Sequence, residues 1–309
     1  MSDRTGATTL ANERFAVIVN PKAAGGKALK KLPEISEVAS SVSPEYHLHV
    51  TSSIEDARLR AREFAKLGID RIVAVGGDGT FNEVANGILE SGHRSALGIV
   101  PAGTGCDLPR SLGIPGSIKE AMSFALTGES LAMDVGLART STTERHFLNV
   151  AGMGFDAKVA DRAQRKKRLT GKKAYMVALA QNLTDFGYID VQIEVNGQEI
   201  ATKAVFVSIA NAQYLAGGFH FAPMAKVNDG LLDLAIIDDI SLPGFIKAVP
   251  SVVRGNHVTN PHWRHYTTTH VRVTASTPAL VQLDGEIAGT SPAEFSIVPG
   301  ALDIVARLT

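Results

Sequence analysis

The residues of this chain that could do chemistry are carboxylates set beside glycines. Residues 71–86 read RIVAVGGDGTFNEVAN, in which Gly76, Gly77 and Gly79 surround Asp78, and Thr80 follows. Glycines let a backbone approach phosphate oxygens closely. A helix start beyond them offers unpaired N–H groups and a positive dipole end. A carboxylate in such a place repels phosphates unless a cation or a transferable proton lies between. Asp78 therefore points to Mg²⁺ and phosphoryl transfer. The plainer reading is a tight turn between strand and helix, but three glycines and an acid exceed what a turn requires. A second loop, PAGTGCD over Pro101–Asp107, carries Gly103, Thr104, Gly105 and another acid, Asp107. Two such loops argue for a nucleotide phosphate site. Asp134, in SLAMDVG near the end of a strand, is either a further cation ligand or a strand-terminal turn residue. Asp284 and Glu286 flank Gly285 in LDGE. A hairpin turn explains Asp-Gly; the functional alternative is a general base facing the phosphate loops across a cleft.

These residues need a scaffold that gathers loops at one edge. Phe15–Asn20, Tyr46–Thr51, Arg71–Val75 and Ala96–Val100 read as short strands. Helical spacing fills the intervals over Ala28–Ser40, Ser52–Leu67 (with Gly68 as C-cap) and Phe81–Leu89, and returns at Leu108–Leu112 and Ile118–Leu126. The alternation predicts a parallel sheet with helices on both faces. Such sheets bind ligands beyond the C-terminal strand ends. Four loops fall there: Asn20–Lys27, Thr51–Ser53, Gly76–Thr80 and Pro101–Asp107. Arg110 faces the last of them or solvent. Cys106 reads as a small residue tolerated in that loop rather than a reactive thiol, since no base adjoins it.

Beyond Leu137 the texture changes. His146–Val150 reads as a strand leading to a glycine turn, Asp156–Arg168 as a basic helix ending RKKR, and Tyr175–Phe186 as an amphipathic helix. Strands follow at Asp190–Val195 and Gln198–Asn211, about an Asn196-Gly197 hairpin turn. Others read at Leu231–Ile237, His270–Ala275, Ala279–Leu283, Ile287–Ala288, Glu294–Ile297 and Leu302–Leu308, with one helix over Ser241–Arg254. This half is expected to be antiparallel and sandwich-like. His262, Trp263, His265 and His270 match no tight zinc spacing and are expected in a surface loop. The run Arg165–Arg168 is a solvated helix face or a contact for anionic headgroups.

With 309 residues the chain is long enough for two domains. Its formal net charge is zero, so no global basic field recruits nucleic acid. No apolar run approaches bilayer-spanning length. A single cysteine excludes an internal disulfide and suits a reducing cytoplasm. Residues 1–11 read as a disordered lead-in with the features of neither a signal nor a transit peptide.

Five stretches, in order, resemble the diacylglycerol kinase catalytic family, which includes bacterial soluble lipid kinases and sphingosine kinases. They are GGDGTFNEVANG (Gly76–Gly87), PAGTGCDLPRSLGIP (Pro101–Pro115), FLNVAGMGFDA (Phe147–Ala157), AGGFHFAPMAKVNDGLLDL (Ala216–Leu234) and VQLDGE (Val281–Glu286). GGDGT alone is shared with NAD kinases and phosphofructokinases; the last two stretches are the specific ones. The resemblance implies a phosphofructokinase/NAD kinase-like α/β ATP-binding domain over 12–138, rejoined by a strand within 300–309, and a β-rich, sandwich-like lipid-binding domain over 139–299. The active site would lie in the cleft between them.

Residue by residue, the resemblance implies that Gly76, Gly77, Asp78, Gly79, Thr80 and Asn82 hold ATP phosphates and Mg²⁺. Asn20, Thr51, Gly103, Thr104 and Asp284 count as further nucleotide-site positions. Asp107 and Asp134 would act through Mg²⁺ and its waters, and Glu286 would accept a proton. Lys226 and Leu231, through backbone carbonyls, and Asp229, through its carboxylate, would form a second, structural Mg²⁺ site. Cys106-Asp107-Leu108 and Asn228-Asp229-Gly230 depart from the Asn-Asp-Phe and Asp-Asp-Gly usual in bacterial relatives, and the second departure removes a charge. The implied activity is Mg²⁺-assisted, in-line phosphorylation of diacylglycerol by ATP, with a sphingoid base as the alternative acceptor. NAD kinase activity and a catalytically inactive nucleotide-binding regulator are readings from other classes. The implied location is cytoplasmic, with peripheral membrane contact through Arg165–Arg168 or the apolar Phe219–Phe221 region. The oligomeric state stays open, a homodimer included.

Overall fold

A computed structural model describes residues 13–103, 105–164 and 171–307. The lead-in, Thr104 and the basic run Arg165–Arg168 lie outside the described residues. The first half contains β1 (Phe15–Val19), α1 (Ala23–Lys30), α2 (Leu32–Val42), β2 (His47–Val50), α3 (Ile54–Lys66), β3 (Arg71–Gly76), α4 (Asp78–Ser91), β4 (Ala96–Pro101), α5 (Leu108–Ser111) and α6 (Ile118–Thr127). The strands run parallel in the order β2-β1-β3-β4. Strand residues alternate between two cores. Ala16, Ile18, Ile72, Ala74, Leu97 and Ile99 pack with α3 and α4, while Val17, Val19, Val73, Val75 and Val100 pack with α2 and α6. The helices α3 and α4 approach closely at Gly87, where a Cβ would fall 2.3 Å from the Arg58 carbonyl oxygen.

Two helix starts differ from the sequence expectation. The stretch Ala28–Ser40 does not form one helix. It is interrupted at Lys31 (φ −94°, ψ 2°), which ends α1 before α2 starts at Leu32, and α1 itself begins earlier, at Ala23, across a kink where Ala24, Gly25 and Gly26 adopt φ of 53°, 67° and 90°. α4 begins earlier than its apolar periodicity does: Asp78, Gly79 and Thr80 form its first turn, with Gly77 as N-cap.

The second half contains β5 (Ser130–Arg139), β6 (Glu144–Phe147), β7 (Val150–Gly154), α7 (Phe155–Gln164), α8 (Gly171–Asn182), β8 (Ile189–Val195), β9 (Gln198–Ala210), β10 (Tyr214–Leu215), β11 (Phe219–His220), β12 (Leu232–Asp238), α9 (Leu242–Arg254), β13 (Trp263–Thr268), β14 (His270–Ala275), β15 (Leu280–Leu283), β16 (Glu286–Thr290) and β17 (Ala293–Val305). Its strand pairings are antiparallel, and β9 bends to pair with β7, β8 and β12. The segment expected as two strands, Glu294–Ile297 and Leu302–Leu308, is one bent strand, β17. Its first part pairs with β14 and its last part runs parallel to β4 through Ile304↔Leu97. β5 follows it antiparallel from Arg139↔Glu294 to Ser130↔Val305. This two-strand ladder joins the halves and sets the cleft between them.

Three further expectations are corrected. Asp134 is mid-strand, because β5 continues five residues beyond it to Arg139. His265 and Trp263 belong to β13, paired with β12, and not to a surface loop; His265 Nε2 lies 2.6 Å from Asp233 Oδ1. Phe219 and Phe221 are 4% and 3% exposed, so they belong to the interior rather than to a membrane-facing surface.

Candidate active site

The glycine loop is built by β3 running directly into α4. Gly76 must be glycine because a Cβ would fall 2.5 Å from Thr80 Oγ1. Gly77 is different: its φ of −115° suits any residue, yet a Cβ would meet nothing within 4 Å. No side chain caps α4, and while the Thr80 N–H donates to the Gly77 carbonyl (2.9 Å), those of Asp78 and Gly79 have no side-chain cap. Asn20, just after β1, ties the first loop to this one. Its Nδ2 donates to Thr80 Oγ1 (2.9 Å) and its N–H to the Val75 carbonyl (2.9 Å). Thr51, buried beside them, donates its N–H to the Val19 carbonyl (2.9 Å).

Asp78 faces the second glycine loop. Its carboxylate accepts from the N–H of Asp107 (3.0 Å) and of Leu108 (3.1 Å). Asp107 is buried and accepts from the Gly217 N–H (2.8 Å) of the second half and from Arg110 Nη1 (3.3 Å). Arg110 therefore faces the loop. Burial pushes Asp78 up to about 7, with the Asp107 charge adding to it and the Leu108 and Asp107 amides opposing. Burial also pushes Asp107 up to about 6. Gly103 lies near Cys106, whose thiol burial and the Asp78 charge push up to about 12, so it is inert.

Asp284 comes from the turn between β15 and β16, at φ 50°. Its Oδ1 accepts from the N–H of Asn149 (2.8 Å) and Val150 (3.0 Å), and its Oδ2 from Leu148 N–H and Asn82 Nδ2 (both 2.8 Å). Burial still raises its proton affinity against those amides. Asn82 is 3% exposed and its side chain is committed to protein: Nδ2 to Asp284, Oδ1 to Arg145 Nη2 (2.7 Å). It joins α4 to the second half. Arg145, on β6, also pairs with Glu83 (2.6 Å) and with Glu286 Oε2 (3.2 Å). Glu286 thus sits part-exposed at the start of β16, held on one side by a cation.

Asp134 lies apart from this group. Its Oδ2 accepts from the Gly230 N–H (2.6 Å) and its Oδ1 from the Gly300 N–H (2.7 Å) at the bend of β17. Lys226 and Asp229 are exposed on the loop so held, and Asp229 Oδ1 accepts from the Leu231 N–H (3.1 Å).

A cavity of about 410 Å³ begins at Asp78, Asp107 and Asp284 and continues into a chamber walled by Phe155, Leu179, Phe206, Phe221, Phe245 and Trp263. Glu286 does not line it, although its neighbour Gly285 does. Sequence reasoning missed Arg145, which stands in TTERHF with no motif around it. It also passed over Asp156, which lines the chamber and stands within a quoted stretch. Among the described residues no helix is long and apolar enough to cross a membrane.

A family profile described as "Diacylglycerol kinase catalytic domain" matches residues 14–138, and one described as "YegS C-terminal NAD kinase beta sandwich-like domain" matches residues 149–306. The chain is 30% identical to the diacylglycerol kinase of Bacillus subtilis (strain 168), over 92% of this chain and 93% of that one. It is 29% identical to the diacylglycerol kinase of Staphylococcus aureus (strain bovine RF122 / ET3-1), over 95% and 92% respectively. The fold matches a crystal structure of a diacylglycerol kinase from Bacillus anthracis str. Sterne with a TM-score of 0.76 at 26% identity, over 96% of this chain and 97% of that one. Open space at a helix start, and paired acids and an apolar chamber in one cavity, agree with these likenesses. The chain belongs to the diacylglycerol kinase family of ATP-dependent lipid kinases.

Proposed function

We propose that this chain transfers the γ-phosphoryl group of ATP to the hydroxyl of diacylglycerol, giving phosphatidic acid. The observation that carries the reading is the single cavity that joins the acid-lined helix start to an apolar chamber. Residues 12–138 with 300–309 form the nucleotide half in this reading, and residues 139–299 the lipid half.

Asp78 and Asp107 suit a hard divalent cation, because two buried carboxylates, each pushed up by burial and by a neighbouring acid, are relieved by one. Mg²⁺ held there would neutralise charge on the β- and γ-phosphates. The amides of Gly77, Asp78 and Gly79 position the phosphates, and Asn20 and Thr80 hold that loop in place. Asp284 orders the turn that carries Glu286. Both oxygens of Asp284 are committed to four hydrogen bonds that order the turn, whereas Glu286 is part-exposed with one cationic partner and is the proposed acceptor of the lipid hydroxyl proton. Asp134 acts through backbone, fixing the loop whose Lys226 and Leu231 carbonyls and Asp229 carboxylate are the proposed structural cation site. The protein's part is chiefly positioning and electrostatics.

The enzyme works at a membrane it touches peripherally. The support is that Met224, Ile246 and Val258 are exposed on segments adjoining the chamber. The test offers labelled ATP with diacylglycerol, sphingosine, ceramide and NAD. Label on diacylglycerol is expected; label confined to NAD, or to a sphingoid base, overturns the proposal.

A further inference from the structure

Asp156 opens α7 and lines the apolar chamber. Its Oδ2 accepts a long bond from Gln282 Nε2 (3.3 Å), and its Oδ1 is sealed with no hydrogen-bond partner among the described residues. Room for the carboxyl exists only because position 152 is glycine: a Cβ there would fall 1.8 Å from Asp156 Oδ2. Burial pushes the carboxyl up to about 7, against the pull of Gln282 and the amides opening α7. A carboxyl kept in an apolar wall with one long side-chain bond is costly to a fold. No ion pair with it is seen among the described residues.

Its one side-chain partner leads to the reaction. Gln282 Oε1 accepts from the N–H of Gly285 (2.7 Å), the residue between Asp284 and Glu286. Asp156 is thereby connected to the turn at the chemical end of the cavity. The described residues that line the cavity include Asp78, Asp107, Asp156 and Asp284, and no lysine or arginine. With Asp78 and Asp107 given over to the cation, such a lining offers hydrogen bonds to an uncharged headgroup and no basic side chain to balance an anionic one.

We propose that Asp156, braced by Gln282, is the residue that selects the acceptor lipid. It hydrogen-bonds an uncharged polar group next to the reacting hydroxyl, and the lack of a basic side chain in the described lining disfavours anionic headgroups. This rests on the lipid-kinase reading above.

The test uses the full chain and Trp263, the only tryptophan, which lines the same chamber and reports occupancy without turnover. Titration with dioctanoylglycerol is expected to change Trp263 fluorescence saturably, with lysophosphatidic acid binding at least about tenfold more weakly. Asp156→Leu is expected to weaken dioctanoylglycerol binding about tenfold and to narrow the gap between the two lipids, with the KM for ATP unchanged. Asp156→Asn should recover part of the loss. Dioctanoylglycerol binding within about twofold of the parent in Asp156→Leu, with discrimination intact, overturns the proposal. If Asp156→Leu fails to fold, Asp156→Asn and Gln282→Leu carry the comparison, and unchanged binding in both overturns it equally. If the parent binds neither lipid, the lipid-kinase reading falls and this proposal with it.

Discussion

Asp78→Asn should abolish turnover and yet stabilise the cation-free protein at alkaline pH. The Asp78 carboxyl moves from 3.8 to about 7 on folding, chiefly because it is buried. A folded-state value above the unfolded one means that the folded chain holds a proton which the unfolded chain releases. The contribution to stability is therefore complete below about pH 4 and is lost as pH rises through about 7. Each tenfold change in proton affinity is worth about 1.4 kcal/mol, so the ceiling at pH 8 is about 4 kcal/mol. The Asp107 charge supplies part of that rise and the two acids titrate together, so about half of the ceiling, ~2 kcal/mol, is recoverable. Asparagine keeps an oxygen for the Leu108 and Asp107 amides, and only one arm of the Asp107 contact is lost. Thermal melts in EDTA at pH 5 and pH 8 test this. The variant should melt about 5 °C higher at pH 8, with the gap smaller at pH 5 and closing only below about pH 4. Added Mg²⁺ should raise the parent and leave the variant unmoved. A variant that melts no higher than the parent at pH 8, or a gap that does not shrink towards pH 5, refutes the account that burial and the Asp107 charge raise the Asp78 carboxyl.

Other consequences can be checked with the same preparations. Gly77→Ala fills space that is open in the free protein, so melting should be unchanged while the KM for ATP rises about tenfold; Gly76→Ala collides with Thr80 and should cost about 1–3 kcal/mol in stability instead. Arg145→Met leaves the buried Glu83 without its cation and should destabilise by about 3 kcal/mol, most of it recovered in the double variant with Glu83→Gln, read by urea titration. Glu286→Gln should lower kcat at least about a hundredfold while nucleotide still binds, and near-parental kcat would remove Glu286 as the proton acceptor. Asp134→Asn turns an amide towards the N–H of Gly230 or of Gly300 and should cost about 2 kcal/mol, with faster proteolysis of the 227–230 loop.

The features that were legible in the chain are those set by neighbours a few residues away. The apolar runs of β1, β3 and β4 can only be buried strands. Gly76 reads as a glycine that lets phosphate approach the backbone; what the structure places against it is Thr80, only four positions along. The Asn196-Gly197 turn, at φ 50° and 74°, follows from the few residues that tolerate that backbone. What only the folded chain decided depends on partners far apart in sequence. Asn82 reads as a phosphate ligand beside the glycine loop, but its amide is used by Asp284, 202 residues away. Asp134 reads as one more acid near a strand end, until β5 is seen to run on beside β17 and to deliver its carboxylate to Gly230 and Gly300. Phe219 and Phe221 read as a surface patch because apolarity does not say which side of a wall a residue occupies; the chamber does. The types and spacing of residues determined that phosphates and acids meet in this protein. Long-range pairing decided which acids face the cavity, which are tied to backbone, and that Asp156 waits inside it, because a hydrogen-bond partner is chosen by packing and not by distance along the chain.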